Sequence, residues 1–429
     1  MPTKKKASLR PQPSKLAGAG RGPLWQAFYR WHFAAGLLLL PFFCLLAVTG
    51  IVYLFKPQIE PELYKAFWKV SPGTQVQSAD RQVASAKEIL PGSKAQAYRY
   101  PLAADDAAQF TMKDEAGAKW RVWVDPYTAK VTGKVPEDGM LMQIMHDLHG
   151  KLLLGKPGAI FMDLVAAWGI VLLLTGVVVW WPRSGSGAGV WYPRLSAGGR
   201  TFWRDLHSVP AAYTGLIILG FLFTGLAWTE VTGDQLKKFA KWTHTDGPPS
   251  GFGPSPFKIE APANAKEVSL DKVVTIAKDR LPGAQPWIRY PAKPGLAYVI
   301  NHKAPKPQDR AYIHVNPYTA EVLGDFRWKD HGIIGRFTAM SVSLHEGTWF
   351  GAWNQALNTF TALMVLLLAF TGVIIWWKRR PSGALGMPAA PPGWKWPWWL
   401  WVMAILLGAA MPTLGVSLLL LFVVGKALK

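Results

Sequence analysis

Imidazole is the reactive group that this chain repeats. It carries nine histidines and a single cysteine, Cys44, which lies in an apolar run. One thiol excludes an intrachain disulfide, a Cys-based zinc site and covalent c-type haem attachment, so any cofactor must be held by other ligands. An internal duplication sorts the histidines. His32, Thr49 and Gly50 recur as His207, Thr224 and Gly225 at an offset of 175. Leu148, His149, Gly155, Thr175, Gly176, Val177, Trp180, Trp181 and Arg183 recur as Leu344, His345, Gly351, Thr371, Gly372, Val373, Trp376, Trp377 and Arg379 at an offset of 196. His146, His244, His302, His314 and His331 have no such counterpart.

If the two halves pack about a twofold axis, His32 faces His207 and His149 faces His345. Two neutral imidazoles facing each other inside a helix bundle are what a six-coordinate b-type haem requires, because the porphyrin supplies the four equatorial nitrogens. Two pairs make two haem sites. The plainer reading is that these histidines anchor helices at an interface or pack against neighbours. Zinc is disfavoured: His146-x-x-His149 has Val342 in place of its first histidine in the second copy, and His345-Glu346 has no second histidine four residues on.

Four Thr-Gly pairs accompany the histidines. In the first and third apolar runs the pair follows the histidine by 17 residues, roughly 25 Å along a helix, and so lies near the opposite face. In the second and fourth it comes just before Trp-Trp. Each histidine level thus meets two Thr-Gly steps, where glycine lets a porphyrin face or another backbone come close; ordinary small-residue helix packing is the alternative. Arg30 and Arg204 precede their histidines by two and three residues. They suit either haem propionates or a cytoplasmic membrane surface.

Apolar spans must position these groups. Half of the 429 residues are hydrophobic, 23 are Trp, and the formal net charge is +21. Five runs lack Asp, Glu, Lys and Arg for long enough to cross about 30 Å of hydrocarbon: Phe33 to Phe55, Leu164 to Trp181, Leu206 to Thr229, Gly347 to Trp377 and Trp396 to Gly425. The second and fourth spans are each led by an interfacial segment, giving units 149–181 and 345–377. The first run is too long for a signal-peptide core and no small-x-small site follows it, so it is read as an anchor.

Charge sets the expected orientation. Lys+Arg against Asp+Glu count 7 and 0 in residues 1–32, 4 and 1 in 182–205, and 4 and 0 in 378–395, whereas the long segments between spans are nearly balanced. The positive-inside rule makes the basic segments cytoplasmic and puts the long segments outside, with the tail from Lys426 outside too if five helices cross. A nucleic-acid partner is not expected, since the basic clusters abut apolar spans and no nucleic-acid motif accompanies them.

The long segments, 56–148 and 230–344, are also copies. Val124 to Gly133 reads VDPYTAKVTG and Val315 to Gly324 reads VNPYTAEVLG, an offset of 191. Helices are expected over Ala79 to Leu90 and Ser269 to Leu281, each closed by Pro-Gly. Alternating runs such as Lys119 to Val124 and Ala311 to Val315 read as strands, with Asp-Pro or Asn-Pro turns. The expected fold is an α-helical membrane bundle of four core spans in two pseudo-twofold halves, plus a fifth C-terminal span, carrying two α+β domains of a helix on an antiparallel sheet. Both halves run the same way, so the dyad lies along the membrane normal.

Together these residues resemble the PepSY-associated transmembrane family of iron-regulated inner-membrane proteins, which includes dihaem siderophore reductases. The resemblance rests on Trp31-His32, Leu206-His207, Leu148 to Gly150, Leu344 to Gly347, Thr-Gly before Trp-Trp in the second and fourth spans, and the DPYT and NPYT turns. It spans roughly residues 25 to 380. It implies a multi-pass protein of a bacterial inner membrane, with a cytoplasmic N-terminus and periplasmic PepSY domains. It also implies two b-type haems with His32, His207, His149 and His345 as axial iron ligands. The implied activity is electron transfer across the bilayer, from a cytoplasmic or membrane donor to a ferric siderophore or other ferric complex. Trp349, Trp353 and Lys151 are candidates for the rim of the exit site. An envelope binding or regulatory module without a redox cofactor is one alternative, and a transporter of an iron complex or chelator is another. No duplicated acid within the spans favours ion coupling. The Trp-rich extension from Trp394, with Pro412 inside its apolar run, departs from the family pattern.

Overall fold

The computed structural model describes residues 22–182, 187–249, 256–260, 262 and 266–427. The basic stretch up to residue 21, Arg183 of the repeat and Lys429 lie outside these. In chain order the helices are α1 (Pro23–Leu54), α2 (Lys56–Leu63), α3 (Lys65–Trp68), α4 (Ala79–Glu88), α5 (Leu141–Lys151), α6 (Gly155–Trp180), α7 (Gly199–Leu226), α8 (Thr232–Trp242), α9 (Leu270–Arg280), α10 (Ile333–His345), α11 (Ala352–Arg379), α12 (Trp398–Ala410) and α13 (Pro412–Ala427). The strands are β1 (Lys94–Arg99), β2 (Ala108–Lys113), β3 (Lys119–Val124), β4 (Val131–Pro136), β5 (Trp287–Arg289), β6 (Tyr298–His302), β7 (Ala311–Val315) and β8 (Val322–Phe326).

Among the described residues four helices, α1, α6, α7 and α11, are long and apolar enough to cross a membrane. Helix α1 opens on Pro23, where the missing N–H is an orphan in any case, and runs 32 residues. The four form a closed ring: α1 lies beside α6 and α11, and α7 beside the same two. Helices α1 and α7 therefore oppose each other across one diagonal, and α6 and α11 across the other. Helix α5 packs on α1 and α6, and α10 on α7, so each short helix leads the chain from the sheet into the bundle. The reversal from α5 into α6 uses Leu152, Leu153 and Gly155 at positive φ.

The two outer copies do not form separate sheets. Strand β1 pairs with β5, Ala97 opposite Arg289 and Tyr98 opposite Ile288. One antiparallel sheet of eight strands results, in the order β4-β3-β2-β1-β5-β6-β7-β8. Each four-stranded copy would otherwise expose an edge of unpaired N–H and C=O groups, and pairing with its own duplicate removes both edges. Helices α4 and α9 cover one face, over a core that includes Tyr98, Phe110, Val122, Ile288, Ile300 and Ile313. Their N-termini exchange caps across the dyad: Asp271 accepts from the Ala79 N–H at 2.8 Å, and Asp80 from the Leu270 N–H at 2.9 Å. The DPYT and NPYT turns are Asx turns, in which Asp125 and Asn316 accept from the N–H two residues on. Each closes with a left-handed alanine, Ala129 or Ala320.

The expected fifth span is instead a helical hairpin. Helix α12 ends at Met411, α13 restarts at Pro412, and the Trp401 and Phe422 rings meet at 5.3 Å. Proline cannot continue the ladder, and the close approach of Gly408 to Gly415 lets the two arms touch. The hairpin begins where Trp396 packs on Trp31, and its tip buries Met411 and Leu414 against α6 and α7. Its second arm returns toward the starting face, so Lys426 does not lie at the sheet end. Asp163, at the mouth of the second span, is 1% exposed. It accepts from the Thr229, Thr232 and Thr413 hydroxyls and the Thr232 N–H, tying α6, the α7–α8 turn and the hairpin tip together.

Candidate cofactor sites

His32 sits nine residues into α1 and His207 eight residues into α7, on opposite sides of the bundle at the end remote from the sheet. Their ring centres stand 6.3 Å apart. His149, near the end of α5, and His345, the last residue of α10, are likewise 6.3 Å apart at the sheet end. The pairs matched by duplication are thus the pairs that meet in space. Among the described residues no group of three or more His, Cys, Asp or Glu converges as a metal site. His146, the extra member of His-x-x-His, instead bonds its neighbour Asp147.

One seat is built four times. His32 Nδ1 donates to the Leu172 carbonyl at 3.0 Å and lies 3.2 Å from Thr175 Oγ1. His207 Nδ1 does the same with Leu368 O and Thr371 Oγ1, both at 3.0 Å. His345 Nδ1 meets Phe221 O at 3.2 Å and Thr224 Oγ1 at 3.3 Å. His149 Nδ1 lies 3.1 Å from Thr49 Oγ1 and takes Leu46 as its backbone partner. In each case the carbonyl is three residues before the threonine. A carbonyl only accepts, so Nδ1 carries the proton and Nε2 keeps its lone pair. Nε2 makes no hydrogen bond in any of the four among the described residues.

The glycine of each Thr-Gly pair serves the same seat. A Cβ at Gly225 would stand 2.9 Å from His345 Cε1, at Gly50 3.2 Å from His149 Cε1, at Gly176 3.2 Å from His32 Cε1, and at Gly372 3.6 Å from His207 Cε1. The spacing leaves this space to a porphyrin face, a backbone or plain helix packing; in the structure the imidazole edge lies against it. Threonine and glycine on one span orient the histidine of its neighbour in the same half, and the two halves bring the rings of each pair to 6.3 Å across the dyad.

These residues fit a bis-imidazole iron porphyrin. A metal–imidazole bond is about 2 Å and the ring centre lies about 1 Å behind the nitrogen, so two rings on one iron stand roughly 6 Å apart. The hydrogen bond from the other ring nitrogen is the support that ligating histidines have.

Three further features escape a reading of the sequence alone. Asn358 donates to the Leu344 and His345 carbonyls at 2.7 and 3.0 Å, and Asn354 to Leu344 at 3.0 Å, which fixes the end of α10. The first half has Gly158 and Met162 at those positions, so the offset comparison discards them as unmatched. Phe221 stacks on His345 at 4.2 Å and Trp228 meets its edge at 5.8 Å. Arg204 is committed to buried Asp205, which Arg194 also grips, and Arg30 donates to the Pro388 carbonyl. These are the contacts made by the two arginines that suit either haem propionates or a membrane surface. Of the suggested rim residues, Lys151 pairs with Asp147, Trp349 stacks on Phe350, and Trp353 is 84% exposed.

Comparison with the curated proteins gives no match. The family described as the PepSY-associated TM region matches residues 29–379, from the turn before His32 to the arginine that closes α11, and so takes in both histidine pairs and the sheet between them. The chain belongs to the PepSY-associated transmembrane family.

Proposed function

We propose that the chain is a two-haem membrane oxidoreductase that delivers electrons through the bilayer to ferric iron held in a siderophore-type complex. The observation that carries this reading is the recurrence, at both ends of the bundle, of two histidines 6.3 Å apart with Nδ1 tied and Nε2 free to ligate. A b-type haem held there supplies a one-electron Fe(III)/Fe(II) couple. His32 and His207 would hold one haem, and His149 and His345 the other. The 17 residues from His32 to Thr49 place the levels roughly 25 Å apart, one toward each membrane face.

The protein's part is positioning and tuning. The four Thr-Gly seats hold the imidazoles in one tautomer and rotamer, and hydrogen bonds to Nδ1–H make each ring a stronger donor. Phe221 and Trp228 cover His345, while Asn354 and Asn358 keep its backbone from moving. The charge asymmetry favours an orientation with the His32 end at the cytoplasm, and in the inner-membrane setting that the family resemblance implies the sheet would face the periplasm. The donor is then a cytoplasmic or membrane-borne reductant. Ferric iron is bound tightly by hard oxygen ligands; taking one electron to become Fe(II), it is held less firmly and is released from an intact chelator.

The test is vectorial transfer in proteoliposomes. With an impermeant reductant on the His32 side and a ferric complex plus a ferrous-specific chromogenic chelator on the other, wild-type protein produces the ferrous colour and H32A does not. Equal rates for wild type, H32A and empty liposomes would overturn the proposal.

A further inference from the structure

The two outer copies build one cleft twice, and only one of the two satisfies its own polar groups. Pro91-Gly92 and Pro282-Gly283 match at an offset of 191, but Arg99-Tyr100-Pro101 and Arg289-Tyr290-Pro291 match at 190. Strand β1 carries the extra residue, taken up as a bulge between Ala95 and Ala97. Each Tyr-Pro step borders a cleft that also takes a helical lysine from the other copy: Tyr100 and Pro101 with Lys278 of α9, Tyr290 and Pro291 with Lys87 of α4. In the first cleft the Tyr100 hydroxyl donates to the Ala284 carbonyl at 2.8 Å, and the Gln285 amide donates to the Tyr100 carbonyl at 2.7 Å. Lys278 lies over the Tyr100 ring at 5.4 Å.

Ser93 and Lys94 stand where the first cleft has Ala284 and Gln285, and the second cleft repeats neither bond among the described residues. The Tyr290 hydroxyl and Ser93 Oγ are both buried there without a hydrogen-bond partner, and Ser93 as a whole is 7% exposed. Burial, with Tyr298 beside it, pushes the Tyr290 hydroxyl well above its ordinary range, so it remains a proton donor. A buried donor without an acceptor is costly. The lining adds Lys87, Lys94 and Glu267. Neither lysine makes an ion pair among the described residues, whereas Glu267 accepts from the Tyr298 hydroxyl at 3.1 Å. The cleft holds about 250 Å³, where one water molecule takes roughly 30 Å³. Two unmet hydroxyls, two ammonium groups against one carboxylate, and room for several heavy atoms suit an oxygen-bearing anion.

We propose that Tyr290, Ser93, Lys87 and Lys94 bind a small carboxylate ligand in this cleft, its oxygens accepting from the two hydroxyls and its charge facing the two lysines. The first cleft, whose tyrosine hydroxyl is already engaged, does not bind it. This site is independent of the redox reading above.

The experiment titrates the full chain in detergent with succinate, and with succinamide as a neutral molecule of similar shape, by calorimetry and thermal melting. Succinate binds, with an affinity that falls as salt is raised, and succinamide does not. S93A and Y290F each weaken succinate binding about tenfold or more, as expected for a lost hydrogen bond to an ion, and K87Q weakens it too. Y100F, the matching change in the other cleft, binds succinate as wild type does. Without ligand, S93A and Y290F melt no lower than wild type, because each deletes a buried group that has no partner, whereas Y100F melts lower. Equal binding of succinate and succinamide overturns the proposal, as does undiminished binding by S93A and Y290F or a wild-type chain that responds to neither compound. Lower melting of both S93A and Y290F, with no response to succinate, would make the two hydroxyls a seat for bound water, which contradicts it. Weakening by Y100F as large as that by Y290F would move the ligand to the first cleft and contradict it equally.

Discussion

Adding one methyl group at each of the four Thr-Gly glycines gives a graded test of the seats. The incoming Cβ would meet the imidazole edge at 2.9 Å in G225A, at 3.2 Å in G50A and G176A, and at 3.6 Å in G372A. Ordinary contact begins near 3.4 Å, so His345 must retreat by about 0.5 Å in G225A while His207 need not move in G372A. Retreat is obstructed because Phe221 stacks on the ring and Asn358 pins its backbone. Overpacking of this kind costs about 1–3 kcal/mol, against which alanine gains about 1 kcal/mol over glycine in a helix. The fold should therefore survive in all four variants, and the strain should fall on ligand geometry. The assay is haem content by pyridine haemochrome with the reduced-minus-oxidised spectrum. G372A should match wild type, G50A and G176A should keep haem with altered bands, and G225A should lose the sheet-end haem. Equal behaviour of G225A and G372A would refute the assignment of glycine to the imidazole edge.

Other consequences follow from the same contacts. In T175V and T371V the Nδ1–H loses one acceptor; the imidazole becomes a weaker donor and the midpoint potential of that haem rises by some tens of millivolts, the equivalent of about 1 kcal/mol, read by potentiometric titration with the sheet-end haem as internal control. D163A strands three threonine hydroxyls and an N–H, so stability in detergent should drop by about 3 kcal/mol or more, read by thermal melting, and an unchanged melt would contradict the role given to Asp163. N358L removes the donor to the Leu344 and His345 carbonyls and should lower sheet-end haem affinity in a competition with apomyoglobin, leaving the His32 site unchanged.

The pairing of histidines is legible because duplication kept each one in register with a constant Thr-Gly pair, 17 or 26 residues on, and the four long spans because about twenty apolar residues without charge have few other uses. The role of glycine is not legible in the spacing. Sequence spacing puts Gly50 at the level of the opposite site but does not say whether porphyrin, backbone or imidazole fills its missing Cβ. The fused sheet was illegible since strand edges carry no residue code for their partner; only the mutual capping by Asp80 and Asp271, themselves copies at an offset of 191, hints at it. The hairpin was missed because a count of charge-free residues does not register that Pro412 ends one helix, nor that Gly408 and Gly415 permit the arms to close. Asn354 and Asn358 have no copy in the first half, so a comparison of halves passes over them.

The proposed function requires each histidine pair to clamp one haem iron. Haem content per chain, measured on wild type, H32A and H149A, tests it most directly. Two haems in wild type and one in each variant, with the surviving spectra differing between H32A and H149A, is the predicted result. A wild-type chain without haem, or variants that both lose the same haem, would contradict it.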